Sequence, residues 1–402
     1  MFENIVVRRP YSQNKQIDPG LIAETLLFYQ KVHLLLDEGG LTSLLKNIGP
    51  DNILYLIDNE FLRITFFREN LAVHTDSKTG IPVYDFIGFQ LVETHDGKRF
   101  KNKEDYIIHV FEKSLGKSFK TRRMAKKFLN KTPFRKLTQG FDNPSGIPGL
   151  AREDLNDPDY LKTVVAVILD DLVPSISLPN DWHFKTMAIQ GGVVVDTNLD
   201  FEVINSEYHK KIPPSHSTIS PAFLLAIFLD ARADISFSSQ YLSELVTSST
   251  SSRIMDVKFR SLLKKRTKSE KDIAIFQETF LDDAHAIRDA INSGKRDFSD
   301  FLKVLEKSMR FKEWLSDSHP DIGLMKEYHD AVTRGTWIEK LPMKSLRFVF
   351  WTGAGLAANA LAGPAASLGL GAADSLILDK LLKGWKPNHF IDGPLREFTN
   401  FD

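Results

Sequence analysis

Carboxylates and histidines are concentrated between residues 170 and 216 of this 402-residue chain. The group consists of Asp170, Asp171, Asp181, His183, Asp196, Asp200, Glu202, His209 and His216. Two or three such side chains converging on one ion would suit a metal-dependent hydrolase or nuclease. No HExxH or comparable spacing links the histidines, so no metal site is predicted. Capping, hairpin and surface roles are the alternative, with Asp170, Asp171, Asp181 and His183 kept as candidate catalytic residues.

Other catalytic signatures are incomplete. Ser-x-x-Lys occurs four times without companion motifs, and no Gly-x-Ser-x-Gly is present. Gly116-Lys117-Ser118 resembles the end of a phosphate-binding loop, but Phe111 stands where that motif needs its first glycine. The chain has no cysteine, which excludes disulfides, thiolate catalysis and zinc sites that use sulfur. The sequence therefore predicts no cofactor and favours a protein that is not an enzyme.

Residues 98–136 form a strongly basic segment. They carry 14 Lys or Arg against three acids, in a chain with 52 of each charge. A basic amphipathic helix suits an acidic protein, a nucleic acid or an anionic surface, whereas the alternative is a solvated face neutralised by acids elsewhere. The candidate binding residues are Lys120, Arg122, Arg123, Lys126, Lys127, Lys131, Arg135 and Lys136.

The N-terminal region resembles a winged helix in its pattern. Helices are predicted over 18–37, 41–48 and 53–61, followed by a β-hairpin over 62–73. The helix that would read DNA, around 51–60, has three acids and no base, so a duplex would repel it. We expect this module to contact protein rather than DNA.

The rest of the chain predicts a mostly helical protein with one small sheet. Helices are expected over 103–115 and 119–131, and from Asp157, Ser220, Ser269, Asp297 and Pro320 onward, whereas paired strands are expected over 185–195 and 201–204. The fold class is therefore α+β, predominantly helical. The predicted parts are a winged-helix-like module (1–96), a basic helical segment (97–150), a small α/β segment (151–215), a helical body (216–340) and a Gly/Ala-rich helical hairpin with a tail (341–402).

The C-terminal segment 348–373 is unusual, because its 26 residues carry no charge and fourteen of them are Gly or Ala. A turn at Gly363-Pro364 leaves a first arm of about 22 Å, short of the roughly 30 Å hydrocarbon core of a membrane. We therefore expect a hairpin packed on the helical body, with conditional membrane contact as the alternative.

The N-terminus lacks the apolar run of a signal peptide, so a cytoplasmic location is expected. Together these patterns predict a regulatory protein, in a bacterial defence or stress system, that docks an anionic partner through 98–136. The alternatives are a membrane-acting effector that inserts 348–373 after activation, and a metal-dependent hydrolase or nuclease that uses the carboxylates of 170–202.

Overall fold

The computed structural model describes the greater part of the chain up to residue 309 and three short pieces beyond it. The described residues are 4–8, 17–77, 80–90, 94–95, 98–100, 102–141, 143–213, 218–241, 243–266, 278–282, 285–309, 312, 346–351 and 398. The fold is a mixed α/β arrangement, in which helices cover a central sheet and a second, smaller sheet lies beside it.

Twelve helices occur within the described residues. They are α1 (Pro19–Phe28), α2 (Glu38–Asn47), α3 (Pro50–Asp58), α4 (Lys103–Leu115), α5 (Phe119–Lys131), α6 (Gly146–Asp154), α7 (Pro158–Leu172), α8 (Phe201–His209), α9 (Pro221–Tyr241), α10 (Ser249–Arg266), α11 (His285–Asn292) and α12 (Phe298–Lys307). Several begin at capping side chains: the carboxylates of Asp18 and Asp157 accept hydrogen bonds from backbone N–H groups of α1 and α7, and proline follows each. These caps satisfy N–H groups that a helix cannot pair internally.

The described strands form three sheets. They are β1 (Asn4–Arg8), β2 (Lys31–Leu36), β3 (Leu62–Phe67), β4 (Asn70–Asp76), β5 (Val83–Phe89), β6 (Thr94–His95), β7 (Lys98–Arg99), β8 (Phe134–Arg135), β9 (Phe184–Ile189), β10 (Gly192–Thr197), β11 (Glu244–Ser248), β12 (Glu278–Asp282) and β13 (Leu346–Trp351).

The central sheet has seven strands in the order β12-β13-β11-β1-β2-β3-β8. The five strands from β11 to β8 are parallel; β13 pairs antiparallel with β11, and β12 pairs antiparallel with β13. From β1 the chain first adds β2 and β3 on one side, and later adds β11 on the other. The strand order therefore reverses between β1 and β11, which is the topological switch point of an open parallel sheet.

Both faces of this sheet are buried. Val32, Leu34 and Leu36 of β2 face a core shared with α1 to α5, α11 and α12. On the other face, Leu35 belongs with Val6 to a core shared with α6 to α10 and the second sheet. Burial on both sides is why β2 is a nearly continuous apolar run rather than an alternating one.

The second sheet is antiparallel, in the order β4-β5-β10-β9. It packs against α6, α7 and α9. Glu69, between β3 and β4, accepts hydrogen bonds on Oε2 from the backbone N–H groups of Leu137 and Thr138, at 2.7 and 3.0 Å. This buried carboxylate therefore links the start of the second sheet to the segment that directly follows β8.

The structure corrects the winged-helix interpretation of the N-terminus. The predicted helix 18–37 ends at Phe28, and residues 31–36 are β2, because an apolar run buried on two faces resembles a helix in sequence. The predicted hairpin over 62–73 is also wrong, since β3 pairs with β2 and β8 whereas β4 pairs with β5. The predicted strand 201–204 lies in α8, which Asp200 caps.

Other predictions are confirmed. Helices α4 and α5 have the predicted bounds, and α7, α9 and α12 begin next to Asp157, Ser220 and Asp297 as expected. The starts of the helices predicted from Ser269 and Pro320 lie outside the described residues, as does nearly all of the predicted C-terminal hairpin. The predicted helical body (216–340) is not helical throughout, because it contains the strands β11 and β12. Residues 348–351 are described, and they belong to β13 rather than to a helix.

Candidate functional site

The carboxyl end of β1 carries a buried cluster of charged side chains. Arg8, the last residue of β1, places Nε 2.5 Å from Oδ1 of Asp234. Its two terminal nitrogens reach Oδ1 of Asp230 at 3.4 Å and the Asp230 carbonyl oxygen at 2.8 Å. The three side chains are each only 3–4% exposed. Removing charges from water costs several kcal/mol per ion, so a buried group of this kind makes its surroundings a candidate site.

The cluster also joins the two strands at the switch point. The Thr247 hydroxyl, on β11, donates to Oδ2 of Asp234 at 2.5 Å, so one carboxylate contacts both β1 and β11. Burial raises the pKa of Asp234 above its usual range, while the Arg8 charge and the Thr247 hydrogen bond act in the opposite direction. The guanidinium of Arg8 also lies 5.8 Å from the ring centre of Phe237, which limits its access to water.

A cavity of about 430 Å³ lies beside this cluster, between β4 and α9. Asp230 lines it, together with the hydroxyl-bearing residues Thr218 and Ser220. The other lining residues are apolar or small: Leu71, Ala72, Val73, Ala222, Phe223, Ala226 and Leu229. Ligand cavities are typically about 300–1,000 Å³, mostly apolar, with a few polar groups, and they occur outside the carboxyl ends of strands at a switch point.

Asp170 and Asp171 do not form a metal site in the structure. They lie at the end of α7, where the Arg253 guanidinium is 2.6 Å from Oδ2 of Asp170. Asp171 accepts a short hydrogen bond from the Thr250 hydroxyl. Both carboxylates therefore hold the start of α10 against α7, which explains charged residues at an unfavourable helix end.

Asp181 and His183 support the β9–β10 hairpin. Nε2 of His183 lies 3.4 Å from Oδ1 of Asp196, and its backbone N–H donates to the Asn198 side chain at 2.8 Å. The Asp181 carbonyl oxygen accepts from the amide of Asn198. Within the described part of the chain, no three His, Asp or Glu side chains converge in a way that could hold a metal ion.

Most of the predicted basic binding residues form ion pairs within the protein. Lys120 pairs with Asp51, Arg122 with Glu112, Lys126 with Glu104, and both Lys127 and Lys131 with Asp58. Asp51 and Asp58 of α3, whose charges would repel DNA, thus neutralise part of the basic face of α5. Arg123 and Lys136 are exposed and form no ion pair within the described residues, and Arg135 lies 5.6 Å from the ring centre of Tyr241.

The buried cluster of Arg8, Asp230 and Asp234 was not predicted from the sequence, although the spacing of its two acids indicates it. Asp230 and Asp234 are one turn apart in α9 and follow its apolar first half, and both are 3% exposed. Acids four residues apart on the buried side of a helix predict a shared buried cation. Arg8 gives no such signal by itself, because only the fold brings it to α9.

Within the described ranges, none of the helices combines the length and the apolar character that a membrane span requires. The chain matches no protein-family model, no curated protein and no solved structure.

Proposed function

We propose that this protein binds a small molecule, with an apolar body and an amine or hydroxyl group, in the cavity beside Asp230. The observation that carries the proposal is the buried cluster of Arg8, Asp230 and Asp234 at the switch point. One member of the cluster, Asp230, lines the cavity. Buried charges cost stability, and a binding role explains why they lie next to an opening instead of in a closed core.

The lining of the cavity favours this ligand chemistry. An ionised carboxylate accepts hydrogen bonds and donates none, so Asp230 suits an amine or a hydroxyl. The apolar side chains of Leu71, Phe223 and Leu229 suit a hydrocarbon or aromatic body. The same carboxylate disfavours a ligand that ends in a carboxylate, because like charges repel in a partly buried site.

The test uses matched probes and two variants. Phenethylamine, tyramine and hexylamine are compared with 3-phenylpropionate and hexanoate by saturation-transfer NMR. Ala226→Trp fills the proposed cavity, whereas Ala188→Trp adds the same side chain on the exposed strand β9, away from it. We expect the amines to bind the parent and Ala188→Trp proteins, and to lose their signal in Ala226→Trp. Equal signals in all three proteins, or a preference for the carboxylates, would refute the proposal.

Docking of an anionic partner through α5 is a second candidate, which one observation favours. Phe119 is 85% exposed, the highest value among the exposed large hydrophobic side chains of the described residues. Arg123 lies one turn further along α5, on the same side, and forms no ion pair within the described chain. An exposed aromatic ring beside an uncompensated guanidinium suits a partner with both an apolar and an anionic surface.

This second candidate is tested by two substitutions that each remove one charge. Arg123→Gln removes the uncompensated guanidinium, whereas Lys127→Gln removes an ammonium that already pairs with Asp58. Binding of polyglutamate, duplex DNA and phosphatidylserine vesicles is measured as a function of salt. We expect Arg123→Gln and Phe119→Ser to weaken binding of one probe more than Lys127→Gln does. Equal effects of Arg123→Gln and Lys127→Gln, with no effect of Phe119→Ser, would show that only overall charge matters and would reject a specific site on α5.

A further inference from the structure

A second polar cluster lies on the face of the central sheet that α9 covers, towards the β3–β8 edge. His33 of β2 and Arg63 of β3 are register partners, so their side chains lie side by side on this face. Nε2 of His33 is 2.8 Å from the Thr65 hydroxyl. The ring of Tyr241, at the end of α9, packs edge-on against the His33 ring with centres 4.3 Å apart. These residues belong to neither the cavity beside Asp230 nor the surface of α5.

Arg135 brings a second guanidinium to the same place. It lies on β8, and its guanidinium carbon is 5.6 Å from the ring centre of Tyr241. Arg63 and Arg135 are both exposed, and neither forms an ion pair with any residue that the structure describes. Both positive charges contribute to a lower pKa of the His33 ring.

Two hydroxyls in this region lack hydrogen-bond partners. The Tyr241 hydroxyl and the Ser243 hydroxyl are both buried, and neither has a partner within the described structure. Buried polar atoms are almost always hydrogen-bonded, so each exception calls for an explanation such as a missing ligand. Both exceptions lie at the α9–β11 connection, and the Tyr241 ring contacts both His33 and Arg135.

The charge of the cluster indicates what it would bind. Burial, followed by the charges of Arg63 and Arg135, lowers the pKa of His33 to about 4, so this imidazole is neutral at physiological pH. Among the residues that the structure describes, no acid pairs with the two guanidinium charges of this cluster. A carboxylate would neutralise one charge, whereas a phosphate monoester carries about −1.5 to −2 and offers three acceptor oxygens. Guanidinium groups also match phosphate oxygens in geometry.

We propose that Arg63, Arg135 and the Tyr241 hydroxyl form a binding site for the dianionic phosphate group of a phosphate monoester. His33 and Thr65 form the uncharged floor of this site, and their mutual hydrogen bond holds the imidazole in place. The Tyr241 hydroxyl donates to a phosphate oxygen and thereby gains the partner that it otherwise lacks. The site is separate from the cavity beside Asp230, so the two proposals stand or fall independently.

Calorimetry with phenyl phosphate at pH 7.5 tests this proposal, with phenyl sulfate and benzoate as monoanionic counterparts. A hydrogen bond to a charged group contributes roughly 1.5–3 kcal/mol, so we expect Arg63→Met and Arg135→Met each to raise the Kd about 10- to 150-fold. Tyr241→Phe keeps the ring and removes only the hydroxyl, and we expect a smaller increase. Lys185→Met, which removes an exposed cation of β9 in the second sheet, serves as the control and should leave the Kd unchanged.

Each outcome decides the question. Tighter binding of phenyl phosphate than of both monoanions, together with loss in the two arginine variants and not in the control, supports the site. No binding by the parent protein, equal binding of the three probes, or equal losses in Lys185→Met and Arg63→Met would overturn it. Circular dichroism and the urea midpoint of each variant show whether it is folded, and Tyr241→Phe provides a conservative variant should an arginine variant fail to fold.

Discussion

Nε of Arg8 lies 2.5 Å from Oδ1 of Asp234, although one residue ends the first strand of the sheet and the other lies on a helix 226 positions later. The contact ties β1 to α9 across the carboxyl end of the sheet. Because Thr247 of β11 donates to the same carboxylate, the pair also fixes the two strands on either side of the switch point.

We expect Arg8→Met to destabilise the protein strongly. The substitution keeps a long apolar stem but leaves Asp230 and Asp234 buried without their cation. Breaking a buried pair by removing one partner costs about 3–5 kcal/mol. Urea denaturation measures the loss, and Lys303→Met, which breaks the exposed pair with Asp300, should leave the midpoint near that of the parent protein. Similar midpoints for the two variants would contradict the importance given to the Arg8 cluster.

The acid sensitivity of the protein should depend on His33. The charged groups that act on its ring are Arg63 and Arg135, and its other contacts are Thr65 and Tyr241. Since its folded pKa of about 4 lies below the usual 6.5, the unfolded chain binds an extra proton between these values. Stability therefore falls as the pH drops from 6.5 to 4.

His33→Gln removes the proton uptake of this histidine on unfolding, so we expect the free energy of unfolding to fall less steeply between pH 6.5 and pH 4. The free energy of unfolding is measured by urea denaturation at intervals between pH 4 and 7. His74→Gln, at an exposed position of β4, should reproduce the slope of the parent protein. A parental slope in His33→Gln would show that the histidine is protonated in the folded state.

Lys312 should reduce stability at neutral and acidic pH. Its side chain is 1% exposed, its Nζ donates to the Leu26 carbonyl oxygen at 2.9 Å, and burial lowers its pKa from 10.5 to about 7. Between pH 7 and 10.5 the unfolded chain binds the extra proton, so the stability contributed by this group rises with pH and is lowest below pH 7.

We therefore expect the stability of Lys312→Met, relative to the parent protein, to be higher at pH 6 than at pH 10. The comparison between two pH values cancels the lost hydrogen bond to Leu26, which affects both. Lys120→Met, at an exposed lysine, should show no such difference. If Lys312→Met and the parent protein differ in stability by the same amount at pH 6 and pH 10, burial does not lower the pKa of Lys312.

Two glycines that share a left-handed conformation should respond differently to alanine. Gly146 has φ +61°, and a Cβ there would lie 2.1 Å from the Leu137 carbonyl oxygen, whereas Gly116 has φ +85° with nothing within 4 Å. Both substitutions strain the backbone by about 1–3 kcal/mol. We expect Gly146→Ala to lower the free energy of unfolding clearly more than Gly116→Ala does, and equal losses in urea denaturation would rule out the close approach to Leu137.

Local structure was predictable from the sequence where one helix face is apolar and the ends are capped. The bounds of α4 and α5 follow from Asn102 and Ser118, whose side chains accept hydrogen bonds at the first turn of each helix. The strand β2 was not predictable in the same way, because burial on both faces removes the alternation that distinguishes strands.

The pairing of distant elements could not be predicted either. β3 and β4 are separated by two residues and resemble a hairpin, but each pairs with strands of a different sheet. The same limit applies to the candidate sites. The charges of 98–136 were evident, but the acids Asp51 and Asp58 that neutralise α5 lie on another helix and become neighbours only in the fold.

The position of β1 between β2 and β11 has a consequence for synthesis on the ribosome. Ile5 pairs with Val32 on one side and with Glu244 on the other. At about 5–20 residues per second, the second neighbour emerges on the order of ten to fifty seconds after the first. Until then the nascent chain exposes an unpaired apolar strand edge, which is the kind of surface that chaperones cover.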